Sequence, residues 1–321
     1  MSANSTFALP TNPDLKVLKQ SPMSLHTTWR IGGPAEFLIR APHQAAIEAA
    51  LDWADREGLP VTVIGGGSNL LAPDGGIAGL VILSRTPGER AEHLVEFEDR
   101  GDEAWFSVGA QAPLSWTGRY ASERGWSGLD WGVGLPGTIG GATVNNAGAH
   151  GTELKDHLET VTVLRDGKTI ETHDRAWLEP AYRHTIIKAS PRPREFVVLR
   201  VTMLLPKGDR DALVALADDH ADFRLRTQPK GACGGSTFAN PLPNYAGKLL
   251  EDSGMKGFSI GPVGFSTLHS NFIVNNGGGT AAQVRELIAT AQARVFDQFG
   301  VSLTPEIEDL GEPFEPTRGT P

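Results

Sequence analysis

The chain has 321 residues, 40% apolar and 21% charged, long enough for two or three domains with packed cores and too apolar for wholesale disorder. Its net charge of −9 argues against a general nucleic-acid binder, whose footprint is basic, yet leaves room for a local cationic pocket for a small anion. A single cysteine, Cys233, excludes an intrachain disulfide, the nine histidines are scattered with no zinc pattern, and no run approaches the roughly 18 apolar residues of a membrane span. The N-terminal segment lacks the basic start and apolar stretch of a secretory signal, so the expectation is a cytoplasmic protein without metal, membrane or nucleic-acid partners.

Residues 35–40, AEFLIR, read as a strand. Ile47, Ala50, Leu51 and Ala54 then recur at helical spacing, and Gly58 before Pro60 supplies a stop. PVTVIG (60–65) and LVIL (80–83) are short β-rich runs that complete a mixed unit ending near residue 85. From 86 to 206 strands dominate: LVEFED, AWFSVGA, TVTVLRDGKTIETH with a hairpin signal at Asp166-Gly167, and EFVVLRVTMLLP. A helix follows Pro113, and the glycine-rich stretch 132–151 is expected to resist regular structure. A helix over 210–225 should bury Leu213, Leu216 and Phe223 and stop before Gln228-Pro229. Loops then run to about 256, followed by strands near FSIGPVGFS and NFIVN. The last helix spans Ala281 to Phe299, with Val284, Leu287, Ile288, Ala291 and Val295 inward, Thr280 as cap and Gly300 as stop; the tail from Gly311 is expected to fray.

Two glycine loops carry the chemistry. Gly65, Gly66, Gly67, Ser68 and Asn69 follow a strand directly, a pattern in which backbone N–H groups can approach a phosphate. No helix-opening G-x-G-x-x-G and no Walker lysine is present, so neither a Rossmann site nor a P-loop fits; a glycine turn without a ligand suits the loop equally well. The second loop, GVGLPGTIGGATVNNAGAHG, mixes small, apolar and amide side chains suited to a flat ligand with polar edges. Together the loops favour a bound dinucleotide, with Gly134, Pro136, Gly137, Gly140, Asn146 and Gly148 as its further contacts.

Eight segments, TTWRIGGPAEF, VIGGGSNLL, GLPGTIGGATVNNAGAHG, AYRHT, GGSTFANP, AGKLLEDSGMKG, STLHSNFIVN and LTPEIEDLG, occur in an order that resembles the UDP-N-acetylenolpyruvoylglucosamine reductase family across most of residues 27–311. The resemblance implies an α+β fold: a two-lobed FAD-binding region of the vanillyl-alcohol-oxidase type plus a smaller α+β substrate-binding domain. Its lobes would be 1–85 joined by 305–321 and 86–225, with 226–304 holding the substrate. It implies non-covalent FAD, NADPH as reductant and UDP-N-acetylglucosamine enolpyruvate as substrate, the two sharing one site in turn, with no obligate protein partner. The short interval after Tyr182-Arg183 looks like the shorter-loop subtype.

Reduction of an enolpyruvyl ether needs hydride at the terminal carbon and a proton at its neighbour, through an enolate that wants a cation and an acid. By resemblance Arg183 is the cation, Ser236 the proton donor and Glu306 the carboxyl group beside them, the last requiring the chain to return to the site. Without the resemblance these would read as a surface arginine, a turn serine and an exposed end charge. Thr185 stands where many relatives have serine, and Ala239 where many have lysine. Tyr182 and Lys248 are candidate substrate contacts, Arg226 and Lys230 candidate pyrophosphate contacts. His184 and His269 read as ordinary structural histidines, and Cys233 as a loop-packing residue rather than a nucleophile. Two alternatives are an FAD-dependent oxidase on the same fold, disfavoured by the absence of His or Cys from GGGSNLLAPDGG, and a non-catalytic nucleotide-binding regulator, disfavoured by the presence of all three catalytic residues.

Overall fold

The computed structural model describes residues 15–191 and 195–314. The first elements are β1 (Val17–Pro22), β2 (Pro34–Arg40), α1 (Gln44–Glu57), β3 (Val61–Ile64), β4 (Leu70–Leu71) and β5 (Ile77–Leu83). There follow β6 (Val95–Asp99), β7 (Glu103–Gly109), α2 (Leu114–Ser122), α3 (Ile139–Val144), β8 (Gly148–Ala149), β9 (Thr152–Glu153), β10 (Leu158–Arg165), β11 (Thr169–Asp174), α4 (Ile186–Ala189) and β12 (Phe196–Pro206). The chain continues through α5 (Arg210–Thr227), β13 (Ala232–Ser236), α6 (Ala246–Asp252), β14 (Ser259–Ile260), β15 (Val263–Phe265), β16 (Phe272–Asn275), α7 (Ala281–Phe299) and β17 (Glu308–Asp309). The part of the expected frayed tail beyond residue 314 lies outside the described residues. Among the described residues no helix is long and apolar enough to cross a membrane.

The chain forms two compact units, the first of residues 1–21, 35–66 and 78–218, the second of 22–34, 67–77 and 219–321. In the first, a four-stranded sheet of order β1-β2-β5-β3 is covered by α1. The α1 helix begins where the His43 ring accepts the Ala46 N–H and ends where Gly58 takes φ +66°, a left-handed turn that glycine enters without a Cβ penalty. Its apolar stripe buries Ile47, Leu51 and Trp53 against Phe37, Ile39, Leu80 and Ile82, with Phe37 and Trp53 meeting edge to face at 5.5 Å. A five-stranded antiparallel sheet of order β11-β10-β12-β7-β6 completes the unit. Strand β12 is buried on both faces at its start. Val197 and Leu199 join the core under α1, whereas Val198, Val201, Met203 and Leu205 pack with Phe106, Trp126 and Leu129. Two-sided burial explains why the strand opens on four consecutive apolar residues, 196–199, rather than on an alternation.

In the second unit the sheet has the order β13-β16-β15-β14, covered by α6 and α7. The α7 helix has the anticipated stripe, a reciprocal Thr280–Gln283 capping box and a left-handed Gly300 stop. The Asp74 carboxylate adds to that start by accepting the N–H groups of Ala281 (2.7 Å) and Ala282 (3.0 Å), an anion at the positive helix end. Trp29 is fully buried in this core; its indole N–H donates to Ile273 O (2.8 Å), and the Asn275 amide donates to Trp29 O (2.9 Å). Parallel pairing of β17 with β4 brings Glu308 and Asp309 beside Leu70 and Leu71.

Three expectations need correction. The stretch expected to be loops up to 256 contains β13 and α6, because Ala246, Leu249 and Leu250 bury a helical face that a seven-residue segment is too short to announce. The glycine stretch 132–151 contains α3, initiated by the Thr138 hydroxyl accepting the Gly141 N–H at 3.3 Å. Finally, α5 turns a different side inward: Leu213, Ala217 and Arg224 are buried, while Leu216 and Phe223 are 42% and 48% exposed. On a helix turning about 100° per residue, Ala217 and Arg224 fall within about 40° of Leu213, whereas Leu216 and Phe223 lie about 60–80° to its other side.

Trp29→Ala should destabilise the second unit by about 3–5 kcal/mol, the range for deleting a large buried aromatic side chain. Denaturant unfolding followed by tryptophan fluorescence and circular dichroism checks this.

Candidate active site

The two glycine loops, distant in sequence, meet in the first unit. A Cβ added at Gly65 would stand 2.4 Å from Thr138 Oγ1, and one at Gly66 would stand 2.6 Å from Gly137 Cα. These contacts are shorter than any side chain tolerates, so glycine is a steric requirement at both places. The 137–140 backbone is pinned by Leu114 N–H to Gly137 O (3.1 Å), Ile139 N–H to Ala112 O and Gly140 N–H to Ala110 O (both 2.9 Å). Gly134 and Gly137 have φ of +82° and +111°, and the Gly134 N–H donates to Ser115 Oγ. Pro136 lies between these two glycines.

The loop fits a phosphate-bearing dinucleotide on two counts. Gly65 and Gly66 donate their amide N–H groups to no acceptor among the described residues, which leaves the donors of an anion nest. Between Ala110 and Ala112, the buried Gln111 amide nitrogen also has no partner among the described residues, an orphan that a ligand acceptor would satisfy.

Arg183 sits at the tip of a tight turn closed by mutual Ala181 and His184 backbone bonds of 3.0 and 3.1 Å. Its φ of +57° is a left-handed conformation that costs an arginine roughly 1–2 kcal/mol. Its guanidinium donates to Gly148 O (3.2 Å) and Asn146 O (3.5 Å) and lies 4.9 Å from the centre of the Tyr182 ring. The structure thus brings Arg183 to Asn146 and Gly148, read from the sequence as cofactor contacts. The Asn146 side chain is itself engaged: its amide donates to Ala181 O (2.9 Å) and Glu153 Oε2 (3.2 Å), and its oxygen accepts the Lys155 N–H. Thr185 explains why a hydroxyl is kept beside the turn. Fully buried, it donates to Val144 O (2.6 Å) and accepts the Lys188 N–H, capping α4.

In the second unit Ser236 ends β13, past a bulge at Gly234-Gly235, where Gly235 has φ +83°. A Cβ on Gly235 would lie 3.8 Å from Ser68 O. The chain does return here: Glu306 N–H donates to Thr237 O (2.9 Å), Ala239 N–H to Thr304 O (3.0 Å), and the Asn69 amide to Glu306 O (3.1 Å). Ser68, Asn69, Ser236 and Glu306 therefore gather in one place. Gly67, at φ +67°, is closed in by His26 O, which a Cβ would approach to 2.3 Å; Thr28 ties it down, its N–H donating to Gly67 O and its hydroxyl to Cys233 O.

Sequence reasoning missed Asn271, which is buried and whose side chain bonds both the N–H and the C=O of Phe238 (3.0 and 2.8 Å) while its carbonyl accepts the Thr237 N–H. It holds the backbone just after Ser236 as a surrogate strand; an asparagine directly before the apolar run 272–274 was the available signal. The remaining candidates are dispersed. Lys248 is exposed on α6 and paired with Asp252, which raises its pKa; Tyr182, Arg226 and Lys230 are exposed. Burial lowers the pKa of His269, whose Nδ1 accepts the Asn271 N–H, and burial raises the Cys233 thiol, which suits a packing role. Among the described residues no group of three or more His, Cys, Asp or Glu could hold a metal ion.

The comparisons with known proteins agree with this geometry. Residues 35–173 match a family model described as an FAD binding domain, which makes the chain an FAD-dependent oxidoreductase. Residues 228–310 match the UDP-N-acetylenolpyruvoylglucosamine reductase C-terminal domain. The reductase of that name from Nostoc punctiforme is 38% identical over 97% of this chain and 91% of its own, and that from Bacillus velezensis 39% identical over 92% and 94%. A crystal structure of the Thermus caldophilus enzyme superposes with a TM-score of 0.72 at 30% identity, over 92% of this chain and 98% of the other. The chain belongs to the UDP-N-acetylenolpyruvoylglucosamine reductase family, and its α+β fold with an FAD-binding region and a smaller second domain is that of the family.

Two substitutions test the site's construction. Gly66→Ala should abolish retention of flavin by forcing the two loops apart, read as loss of the yellow chromophore from purified, folded protein. Thr185→Val should lower kcat by about tenfold or more by releasing the Arg183 turn, while Thr185→Ser keeps activity within about threefold; each lost buried hydrogen bond is worth about 1 kcal/mol.

Proposed function

We propose that the protein reduces UDP-N-acetylglucosamine enolpyruvate to UDP-N-acetylmuramate for peptidoglycan synthesis, in the cytoplasm, with NADPH as reductant and no obligate protein partner. The observation that carries this reading is the latch between Glu306 N–H and Thr237 O, which seats a carboxyl-bearing residue beside the backbone of a serine in a family that reduces enolpyruvyl sugars. In this reading residues 1–85 with 305–321, and 86–225, form the FAD lobes, and 226–304 hold the substrate. The matches of 35–173 to an FAD binding domain and of 228–310 to a C-terminal domain support a split into an FAD-binding part and a C-terminal part.

Gly65, Gly66, Gly67, Ser68, Asn69, Gly134, Pro136, Gly137, Gly140, Asn146 and Gly148 would hold FAD, which supplies hydride transfer when bound. The amide donors of the first loop suit its diphosphate, and the small residues of the second leave space for a flat ring. Because their side chains already serve the protein, Asn69 and Asn146 would act chiefly by fixing backbone. Arg183, held by two carbonyl oxygens on a strained turn, grips the substrate carboxylate and stabilises the enolate that forms as hydride arrives. Ser236 gives its hydroxyl proton to the adjacent carbon. Serine is a weak acid, so this transfer requires a strongly basic enolate and a route for reprotonation. Glu306 stands on that route. Tyr182 and Lys248 contact the substrate at the margin.

The test is anaerobic. Wild-type protein reduced with NADPH should reoxidise rapidly on addition of the UDP-linked enolpyruvyl sugar and yield the lactyl ether. Ser236→Ala should be reduced by NADPH at the wild-type rate but reoxidise about 10²–10⁴-fold more slowly, the usual range for loss of a general acid. Reoxidation by oxygen and not by the sugar would replace this reading with that of an oxidase.

A further inference from the structure

At the carboxyl ends of three neighbouring strands in the first unit lie two arginines without a counter-charge among the described residues. Strand β3 runs parallel to β5 with Ile64 opposite Leu83, and Ser84 N–H donates to Ile64 O at 2.8 Å. Strand β2 lies on the other side of β5, its end fixed by Ala41 N–H to Leu83 O (2.9 Å) and by the Thr86 hydroxyl to Pro42 O (2.5 Å). Gly65-Gly66 therefore leaves one strand end, Ser84-Arg85 the next, and Arg40 closes the third. Open sheets bind ligands at this edge.

Arg85 is half-buried and Arg40 exposed; the Arg85 backbone N–H donates to Leu83 O (3.1 Å), but neither guanidinium has a hydrogen bond or ion pair with another described residue. Burial, and then the nearby Arg40 charge, push the Arg85 guanidinium below its ordinary pKa. A half-buried cation beside a second cation is a costly arrangement for a folded chain alone, and buried charges in proteins are normally paired. Thr86 N–H donates to Gln111 O (2.9 Å), which places the residue with the orphan buried amide nitrogen alongside the same strand end. Two guanidinium groups, an unpaired amide and the free N–H groups of Gly65 and Gly66 are donors only, the complement of a phosphate.

We infer that Arg85, assisted by Arg40, is a phosphate-binding residue for a nucleotide cofactor at the carboxyl edge of β2, β5 and β3. The inference rests on the flavoprotein class and not on the sugar substrate. Its phosphate belongs either to the FAD diphosphate or to the 2′-phosphate of NADPH.

The test uses the full chain stripped of flavin. FAD is titrated into wild type, Arg85→Gln, Arg85→Lys, Arg40→Gln and, as a control, Arg90→Gln at an exposed position, with binding read by quenching of flavin fluorescence. If the FAD diphosphate is the ligand, Arg85→Gln should raise the FAD Kd by about tenfold or more and Arg85→Lys by less, as expected for loss of a charge-assisted hydrogen bond. If the 2′-phosphate is the ligand, FAD affinity should stay put while the kcat/KM ratio of NADPH to NADH falls about tenfold. In either case the flavin-free Arg85→Gln protein should be at least as heat-stable as wild type, because an uncompensated charge has been removed. Unchanged FAD affinity together with unchanged NADPH selectivity overturns the inference. So does a flavin-free variant of lower Tm with normal cofactor binding, since Arg85 would then serve the fold. Wild type that binds FAD but fails to reduce the enolpyruvyl sugar would sink the proposed reaction and leave this inference standing.

Discussion

A methyl group at residue 66 would stand 2.6 Å from Gly137 Cα, and the first unit is organised around that prohibition. Two loops separated by about seventy residues touch backbone to backbone, and the space that side chains would have filled is left to amide donors. The neighbouring hydrogen bonds from Ile139 and Gly140 to Ala112 and Ala110 then fix α3, and α3 in turn delivers Asn146 and Gly148, whose carbonyl oxygens hold Arg183. The glycine cradle and the held Arg183 guanidinium are consequences of one close approach.

The second unit solves a different problem. A serine and a glutamate seventy residues apart are brought together by bonds to the backbone, some of them made by asparagine side chains. Asn271 clamps Phe238, Thr237 O receives Glu306 N–H, and Asn69 holds Glu306 O. These bonds engage Glu306 through its backbone N–H and C=O. In the first unit a side chain does the tying: the one buried Thr185 hydroxyl both caps α4 and ties the Arg183 turn to Val144 O.

What was legible in the sequence was whatever leaves a local mark. The α7 stripe, its Thr280 cap and Gly300 stop, the Gly58 terminator and the strands of the large sheet all followed from periodicity and punctuation. The α5 face did not, because Leu216 and Phe223 are apolar yet exposed, and apolar count alone does not choose between adjacent sides of a helix. Helix α6 is too short to show a period, and α3 forms despite its glycines because tertiary bonds from Ala110 and Ala112 outweigh propensity. The meeting of Gly66 with Gly137 and the clamp at Asn271 involve partners far apart in sequence and leave no local trace. Arg183, Ser236 and Glu306 were singled out only through the family resemblance that the order of the motifs carries.

The second unit is assembled from residues 22–34, 67–77 and 219–321, so its oldest and youngest parts are made far apart in time. Trp29 emerges from the ribosome early, but the carbonyl it bonds belongs to Ile273, 244 residues later. At roughly 5–20 residues per second that interval is on the order of 10–50 s. Throughout it a tryptophan destined for complete burial is exposed, along with Ile31 and Leu71 from the same core. Synthesis of this chain therefore passes through a long period in which its first unit can be complete while the second exists only as apolar segments waiting for the final hundred residues.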